Sequence, residues 1–314
     1  MQSVGLVLLS LVFLAHRGQA ILPIVVYPGL NGTCNTASTK ALIDQLYSVF
    51  PSVHVHCIRP SSSPLEGFYS VFSNASDQMA YVCQTLRHDP RLQGGFNAIG
   101  LSQGGLMMRG YVEMCNNPPV RNLITLGAPH GGVNVIPGCN ASYMQSLVRR
   151  IEERISTLGF LPNRLLCRVL RSTVHSAIYT EVLQQLFMPA QYFRDPKRLQ
   201  DYREANTFLA RINNEFSPRN ATYRRNMQSL RHLVLYRYDR DQLVQPDYSP
   251  WFAYSKVKGD FNITTVPAYK GDWIGLRKLY QSGRLRLITI KGDHPNIPAD
   301  LVRTSLSPFL NITV

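Results

Sequence analysis

Short apolar runs alternate with amphipathic stretches along most of the chain. "ILPIVVYPGLNG", from residue 21, is β-branched and apolar and ends in a glycine loop, as a buried strand does. "STKALIDQLYSVF" then places Ala41, Leu42, Leu46 and Val49 on one face, which predicts a helix. "VHVHCI" predicts a second strand, and "SDQMAYVCQTL" a second helix through Met79, Val82, Cys83 and Leu86. "FNAIGL" is strand-like and runs into "GGLMMRGYVEMC", where Leu106, Met107, Arg109, Gly110 and Val112 recur at near-helical spacing. "NLITLGAPHGG", "HLVLYRYD" and "RLRLITIKGDH" are again strands that end in loops. Strands alternating with helices predict an α/β fold, a mostly parallel sheet with helices on both faces.

Between about residues 137 and 228 the strand signal disappears. Segments such as "SLVRRIEERIST" and "HSAIYTEVLQQLF" read as long, Arg-rich, apolar-studded helices. A core of residues 21–136 and 229–314 interrupted by a helical insertion at 137–228 is therefore expected. Residues 1–20 hold an apolar run from Val4 to Leu14 followed by Gly18 and Ala20, the small residues a signal peptidase accepts, so they read as a cleaved signal peptide. That run is too short for a spanning helix.

Composition adds a compartment. Six cysteines with no C-x-x-C pair argue for disulfides in an oxidising environment and against a metal site of zinc type. Sequons at Asn74, Asn140, Asn220, Asn262 and Asn311 point the same way, as does a sixth at Asn31. The formal charge of +14 would suggest nucleic acid, but the 33 Lys and Arg are scattered in short clusters such as "RR" at 149–150. A solvated basic surface is the reading that fits. No nucleic acid is expected as a partner, whereas anionic lipid suits such a surface for peripheral contact.

One serine stands apart. In "NAIGLSQGGLMMRG" the G-x-S-x-G of Gly100, Ser102 and Gly104 lies where a strand gives way to a helix, the setting of the nucleophile elbow in the α/β-hydrolase fold. That fold needs an acid and then a histidine downstream, each on a loop after a late strand. "HLVLYRYDRDQLVQP" offers Asp239, Asp241 and Asp247, and "LRLITIKGDHPN" delivers His294 directly after the last strand. His294 is then the base for Ser102, and the acid orients it and stabilises the imidazolium. Two backbone N–H groups must hold the oxyanion; the fold draws them from the residue after the nucleophile, Gln103, and from the loop after the first strand, where Leu30 is the natural donor. A glycan on Asn31 would stand beside that loop, so low occupancy is expected there.

Longer stretches make the comparison sharper. "GLSQGG", "YFRDP", "FLARINNE", "DQLVQPDYSPWFAY" and "KGDH", in that order, make the chain similar to the palmitoyl-protein thioesterase family over nearly all of the sequence after residue 20. The resemblance implies a lysosomal hydrolase, reached through the secretory pathway, that removes fatty acyl groups from cysteines with no cofactor. It places the acid at Asp241, the aspartate followed by Val244 and Pro246. It further implies bridges Cys83–Cys115 and Cys139–Cys167. Cys34 and Cys57 remain; both follow early strands of a parallel sheet, so a third bridge between them is geometrically sensible. Two departures stand out: Pro28 occupies a position that is typically histidine in the family, and the cysteine arrangement around Cys34 differs.

The expected substrates are S-acylated proteins or peptides and fatty acyl thioesters such as acyl-CoA. A long acyl chain demands an apolar groove, since each buried methylene gains about 0.8 kcal/mol. The insertion offers Leu147, Ile151, Leu158, Leu161, Leu165, Val169, Ile178, Val182, Leu186 and Phe187 for it, although packing of the insertion on the sheet accounts for any one of them equally well. Two alternatives share the composition: a secreted lipase or carboxylesterase acting on oxygen esters, and an inactive lipid-binding carrier built on the same fold. The intact set Ser102, Asp241 and His294 speaks against the carrier.

Overall fold

The computed structural model describes residues 21–61, 65–135 and 172–310 of the 314-residue chain. Strands β1 (Ile24–Tyr27), β2 (Val55–Cys57), β3 (Phe96–Leu101), β4 (Val120–Leu126), β5 (His232–Tyr238) and β6 (Leu285–Ile290) form one sheet in the order β2-β1-β3-β4-β5-β6, with every neighbouring pair parallel. The chain moves outward from β1 to β2 and then returns past β1 to β3. The carboxyl ends of β1 and β3 therefore meet where the strand order reverses, the place where an open parallel sheet leaves a crevice.

Strand alternation divides the core. Val25, Tyr27, Phe96, Ala98, Leu123, Leu233 and Leu235 face one side; Ile24, Val26, Ile99, Leu101, Ile124, Leu126, Val234 and Tyr236 face the other. Helix α1 (Ala37–Val49) packs Leu42 and Leu46 on the second face, beside the C-terminal turns Val302–Leu306 and Ser307–Leu310. Helix α2 (Glu66–Val71) is short and precedes α3 (Ala75–His88), which buries Met79, Val82 and Leu86 on the first face, as the spacing predicts. Helix α4 (Gln103–Met114) is buried along almost its whole length. Bridges Cys34–Cys57 and Cys83–Cys115 are formed, the second tying α3 to the end of α4. Cys139 and Cys167 lie outside the described residues.

"HSAIYTEVLQQLF" is broken rather than continuous. A helical turn over 172–177 stops, and a new helix, Glu181–Leu186, starts after Thr180. The Thr180 hydroxyl donates to the Ala177 carbonyl (2.8 Å), and the Gln184 amide donates to Ile178 (2.9 Å) and Ala190 (2.8 Å) carbonyls, so side chains take up the backbone groups that the break leaves open. Ile178 and Phe187 are buried, but Val182 and Leu186 point outward.

Phe193, Phe208, Leu209 and Ile212 share one apolar core with the sheet, and within it the 172–228 region also meets a buried charge. Arg109, on α4, is completely buried and pairs with Glu113 one turn on (Nη1 to Oε1, 3.0 Å). Its remaining N–H groups donate to His130 Nδ1 (3.1 Å), the Ile212 carbonyl (3.1 Å) and Asn213 Oδ1 (2.8 Å), and Phe252 covers the guanidinium. Asn213 in turn donates to Glu215, which holds Arg194 through both oxygens (2.9 and 3.1 Å) and accepts from Tyr202. Arg194 lies in "YFRDP" and Asn213 and Glu215 in "FLARINNE", so these two motifs are a buried polar clamp onto the helix that follows Ser102. Burial lowers the Arg109 guanidinium and raises the Glu113 carboxyl, and each resists the shift of the other. His130 is held well below the ordinary imidazole range by burial and then by the Arg109 charge; it is neutral, accepting from Arg109 and donating through Nε2 to Thr125 Oγ1 (3.0 Å).

Removing one member of such a pair strands the other. Arg109→Met should cost about 3–5 kcal/mol in denaturant-induced unfolding, and Arg109→Met with Glu113→Leu should cost less than Arg109→Met alone.

Candidate active site

Ser102 sits at the carboxyl end of β3 with φ 52° and ψ −125°, a conformation that costs a non-glycine residue about 1–3 kcal/mol and persists only where surroundings enforce it. The surroundings are backbone at close range. A Cβ on Gly104 would lie 2.3 Å from the carbonyl oxygens of Tyr27 and Pro28, and one on Gly100 would lie 2.3 Å from the Gly105 Cα. The Ser102 N–H is fixed by the Leu126 carbonyl (2.8 Å) and its own carbonyl by Gly105 N–H (2.9 Å). Thus G-x-S-x-G here spells a helix pressed against β1, and Ser102 is the hinge of that contact.

The loops after β5 and β6 bring Asp241 and His294 together. His294 Nδ1 is 2.8 Å from Asp241 Oδ2, and the two side chains are 2% and 1% exposed. The other Asp241 oxygen accepts from Leu243 and Val244 N–H, both at 2.8 Å, so the carboxylate is fully held on the far side from the ring. Asp239 does something else: its carboxylate accepts from Gly292 N–H (2.8 Å) and pins the loop that carries His294. The sequence alone left Asp239, Asp241 and Asp247 open, and of these it is Asp241 that touches the imidazole. Tyr238 packs its ring 5.2 Å from that of His294, and burial first, then the Asp241 charge, keeps its phenol protonated. On the other side Gly127, at φ +64°, lets the chain pass so closely that a Cβ there would be 2.6 Å from His294 Nδ1.

The loop after β1 completes the site. Gly29 approaches Ser102 so closely that a Cβ on it would be 3.2 Å from the serine Cβ. Gln103 is the first residue of α4, so its N–H has no acceptor within the helix; the Leu30 N–H has none among the described residues. Ser102, His294, Leu30, Asn31, Val133, Pro189, Tyr192, Leu243 and Val244 line one cavity of about 260 Å³. Its walls come from six separate stretches of chain, and of residues 172–228 only Pro189 and Tyr192 reach it. Ile178, Val182, Leu186 and Phe187, which the apolar pattern offered, are not in that wall; Leu147, Ile151, Leu158, Leu161, Leu165 and Val169 lie outside the described residues. Pro189 and Tyr192 were missed because their segment, Met188–Tyr192, is too short to show a period.

The cavity is a setting for acyl transfer: a strained serine, an imidazole locked by a buried carboxylate, and apolar walls, with two backbone N–H groups beside the serine that no acceptor among the described residues takes up. Among the described residues His54, His56 and Asp89 bring ligand-type atoms within 4.8 Å of one another, but they stand at the amino end of β2, and Arg91 occupies both Asp89 oxygens (2.9 and 3.0 Å). Of the sequon residues, Asn74, Asn220 and Asn262 each cap a helical start with the side-chain oxygen, and Asn31 sits in the left-handed region at φ 55° against Gly67. Asn140 and Asn311 lie outside the described residues.

Comparison with known proteins gives a family and several relatives. The family described as "Palmitoyl protein thioesterase" matches residues 23–294. Palmitoyl-protein thioesterase 1 of Caenorhabditis elegans is 32% identical over 287 residues, covering 89% of this chain and 88% of its own. Palmitoyl-protein thioesterase 3 of Dictyostelium discoideum is 29% identical over 88% of this chain and 86% of its own. Lysosomal thioesterase PPT2 of Mus musculus is 28% identical over 86% of this chain and 80% of its own.

The contact between Gly127 and the imidazole yields a sharp test. Gly127→Ala should fold, with a modest loss in melting temperature, yet lose about 100-fold or more in turnover of an acyl thioester, because a misplaced reacting group of about 1 Å costs that much.

Proposed function

This chain belongs to the palmitoyl protein thioesterase family and is a thioester hydrolase, and we propose that it removes long-chain fatty acyl groups from S-acylated cysteines through Ser102, His294 and Asp241. The observation that carries the assignment of residues is the buried 2.8 Å contact between His294 and Asp241 in loops that open on the Ser102 cavity. His294 takes the Ser102 proton as Oγ attacks the thioester carbonyl. The Leu30 and Gln103 N–H groups receive the charge that develops on the carbonyl oxygen. Collapse expels the cysteine sulfur, which His294 protonates, and leaves an acyl-serine. Water, deprotonated by the same imidazole, then releases the fatty acid. A thiol, with a pKa near 8.5, leaves more readily than an alcohol, so the first step demands little of the acid.

The apolar cavity favours an acyl chain over a polar group at the carbonyl. Acyl-CoA fits the same chemistry. No helix among the described residues is long and apolar enough to cross a membrane; the acylated proteins would be met from the aqueous side, with the basic surface in peripheral contact with anionic lipid. Two disulfides and the sequons suit the secretory pathway, and relatives named lysosomal thioesterases suggest the lysosome as its end.

Two experiments test this reading. Ser102→Ala should abolish hydrolysis of a palmitoyl thioester and labelling by a fluorophosphonate probe, with folding unchanged; Asp241→Asn should cost about 10⁴-fold in kcat, and Asp239→Asn far less. Retained turnover in Ser102→Ala, or equal losses at the two aspartates, would refute the assignment. Across a thioester series from four to eighteen carbons, kcat/KM should rise by orders of magnitude, as about 0.8 kcal/mol per buried methylene requires even at half efficiency. A maximum at four carbons, or a clear preference for the matching oxygen esters, would favour a carboxylesterase.

A further inference from the structure

Ser70, on α2, makes no contact with substrate-bearing space and is 2% exposed, yet it touches both segments from which the oxyanion donors come. Its hydroxyl accepts from the Asn31 N–H at 2.7 Å and donates to the Gly67 carbonyl at 2.7 Å. Its own carbonyl accepts from the Gln103 side-chain amide at 2.8 Å, in a bond that is buried. Asn31 N–H belongs to the peptide immediately after Leu30, so the Ser70 hydroxyl governs which way the Leu30 backbone turns. Gln103 carries the second donor on its main chain, and its side chain is anchored to the same residue. Loop and helix start also meet where Gly104 presses on the Tyr27 and Pro28 carbonyls and where Gly29 passes Ser102, contacts that require only small residues.

Two further features tighten this arrangement. Asn31 is at φ 55°, in the left-handed region that asparagine adopts more readily than most residues, and its N–H is taken up by Ser70. Gly67, whose carbonyl Ser70 binds, has no room for a side chain: a Cβ would stand 3.0 Å from Asn31 Oδ1 and 3.3 Å from its carbonyl oxygen. Loop and α2 are thus in direct contact on two sides of the Ser70 hydroxyl.

We propose that Ser70 is a positioning residue for the oxyanion site, setting the distance and aim of the Leu30 and Gln103 N–H groups relative to one another. Ser70 acts only through those donors, so its effect falls on the tetrahedral intermediate and not on the bound substrate. The inference rests on the assignment of Leu30 and Gln103 above, and the test separates the two.

The test compares Ser70→Ala and Gln103→Leu with the unaltered enzyme; Gln103→Leu removes the side-chain anchor and keeps the main-chain donor. For each, kcat and KM for a palmitoyl thioester are measured, with melting temperature, affinity for a non-hydrolysable palmitoyl thioether, and affinity for a long-chain trifluoromethyl ketone, which becomes an oxyanion adduct on Ser102. The expected result is a fall in kcat of about 10- to 100-fold with KM and thioether affinity within about twofold, and a parallel fall in ketone affinity. The proposal is overturned if kcat is unchanged in both variants, or if thioether affinity falls as far as ketone affinity, which marks a merely structural role. Should Ser70→Ala fail to fold, Gln103→Leu decides alone by the same criteria. Ser102→Ala tests the underlying reading independently: ketone binding retained in that variant sinks the assignment of the nucleophile, whereas ketone binding lost there and unchanged in the Ser70 and Gln103 variants sinks this inference only.

Discussion

A guanidinium with no access to water organises this molecule. Arg109 is placed in the interior by α4, and a buried cation is tolerated only if it is neutralised and hydrogen-bonded. Glu113 supplies the countercharge from the same helix, but the remaining donors must be met from elsewhere, and they are met by the GAPHGG loop through His130 and by the insertion through the Ile212 carbonyl and Asn213. Three regions far apart in sequence therefore share one solvation problem. Hydrophobic burial drives them together without choosing an arrangement; the hydrogen bonds of Arg109 choose it.

The consequence for the cavity is indirect but firm. His130 lies in the loop that begins with Gly127, the residue against which the His294 ring rests, and Gly131 and Gly132 of that loop are bonded to Ser249 in the segment after Asp241. Ser102 opens the helix that Arg109 anchors. Ser102, His294 and Asp241 thus belong to elements that converge on the same buried network, which lies behind the apolar cavity.

Much of this could be read from residue patterns. Short apolar runs and helical spacing located β1 to β6 and α1, α3 and α4, and "FNAIGL" coincides with β3 end to end. The elbow and the histidine were legible because their chemistry is tied to strand ends, which leave a local signature. The choice among three aspartates was not, since Asp239 and Asp241 are two residues apart on one loop and differ only in what they face: a backbone N–H in one case, an imidazole in the other. Ser70 left no trace at all, since its hydroxyl meets a main-chain N–H 39 residues back and its carbonyl a side-chain amide 33 residues on. "YFRDP" and "FLARINNE" were recognisable as motifs, but that they pair with each other and with Arg109 is a tertiary fact.

The distance along the chain between Arg109 and Asn213 carries a cost in time. The two are separated by 104 residues, and at roughly 5–20 residues per second of synthesis the arginine waits on the order of 5–20 seconds for its partner to exist. Through that interval the face of α4 that Arg109 occupies is open to water, and the guanidinium N–H groups that later meet Ile212 and Asn213 are hydrated. The burial of the arginine is therefore completed only from chain made long after it.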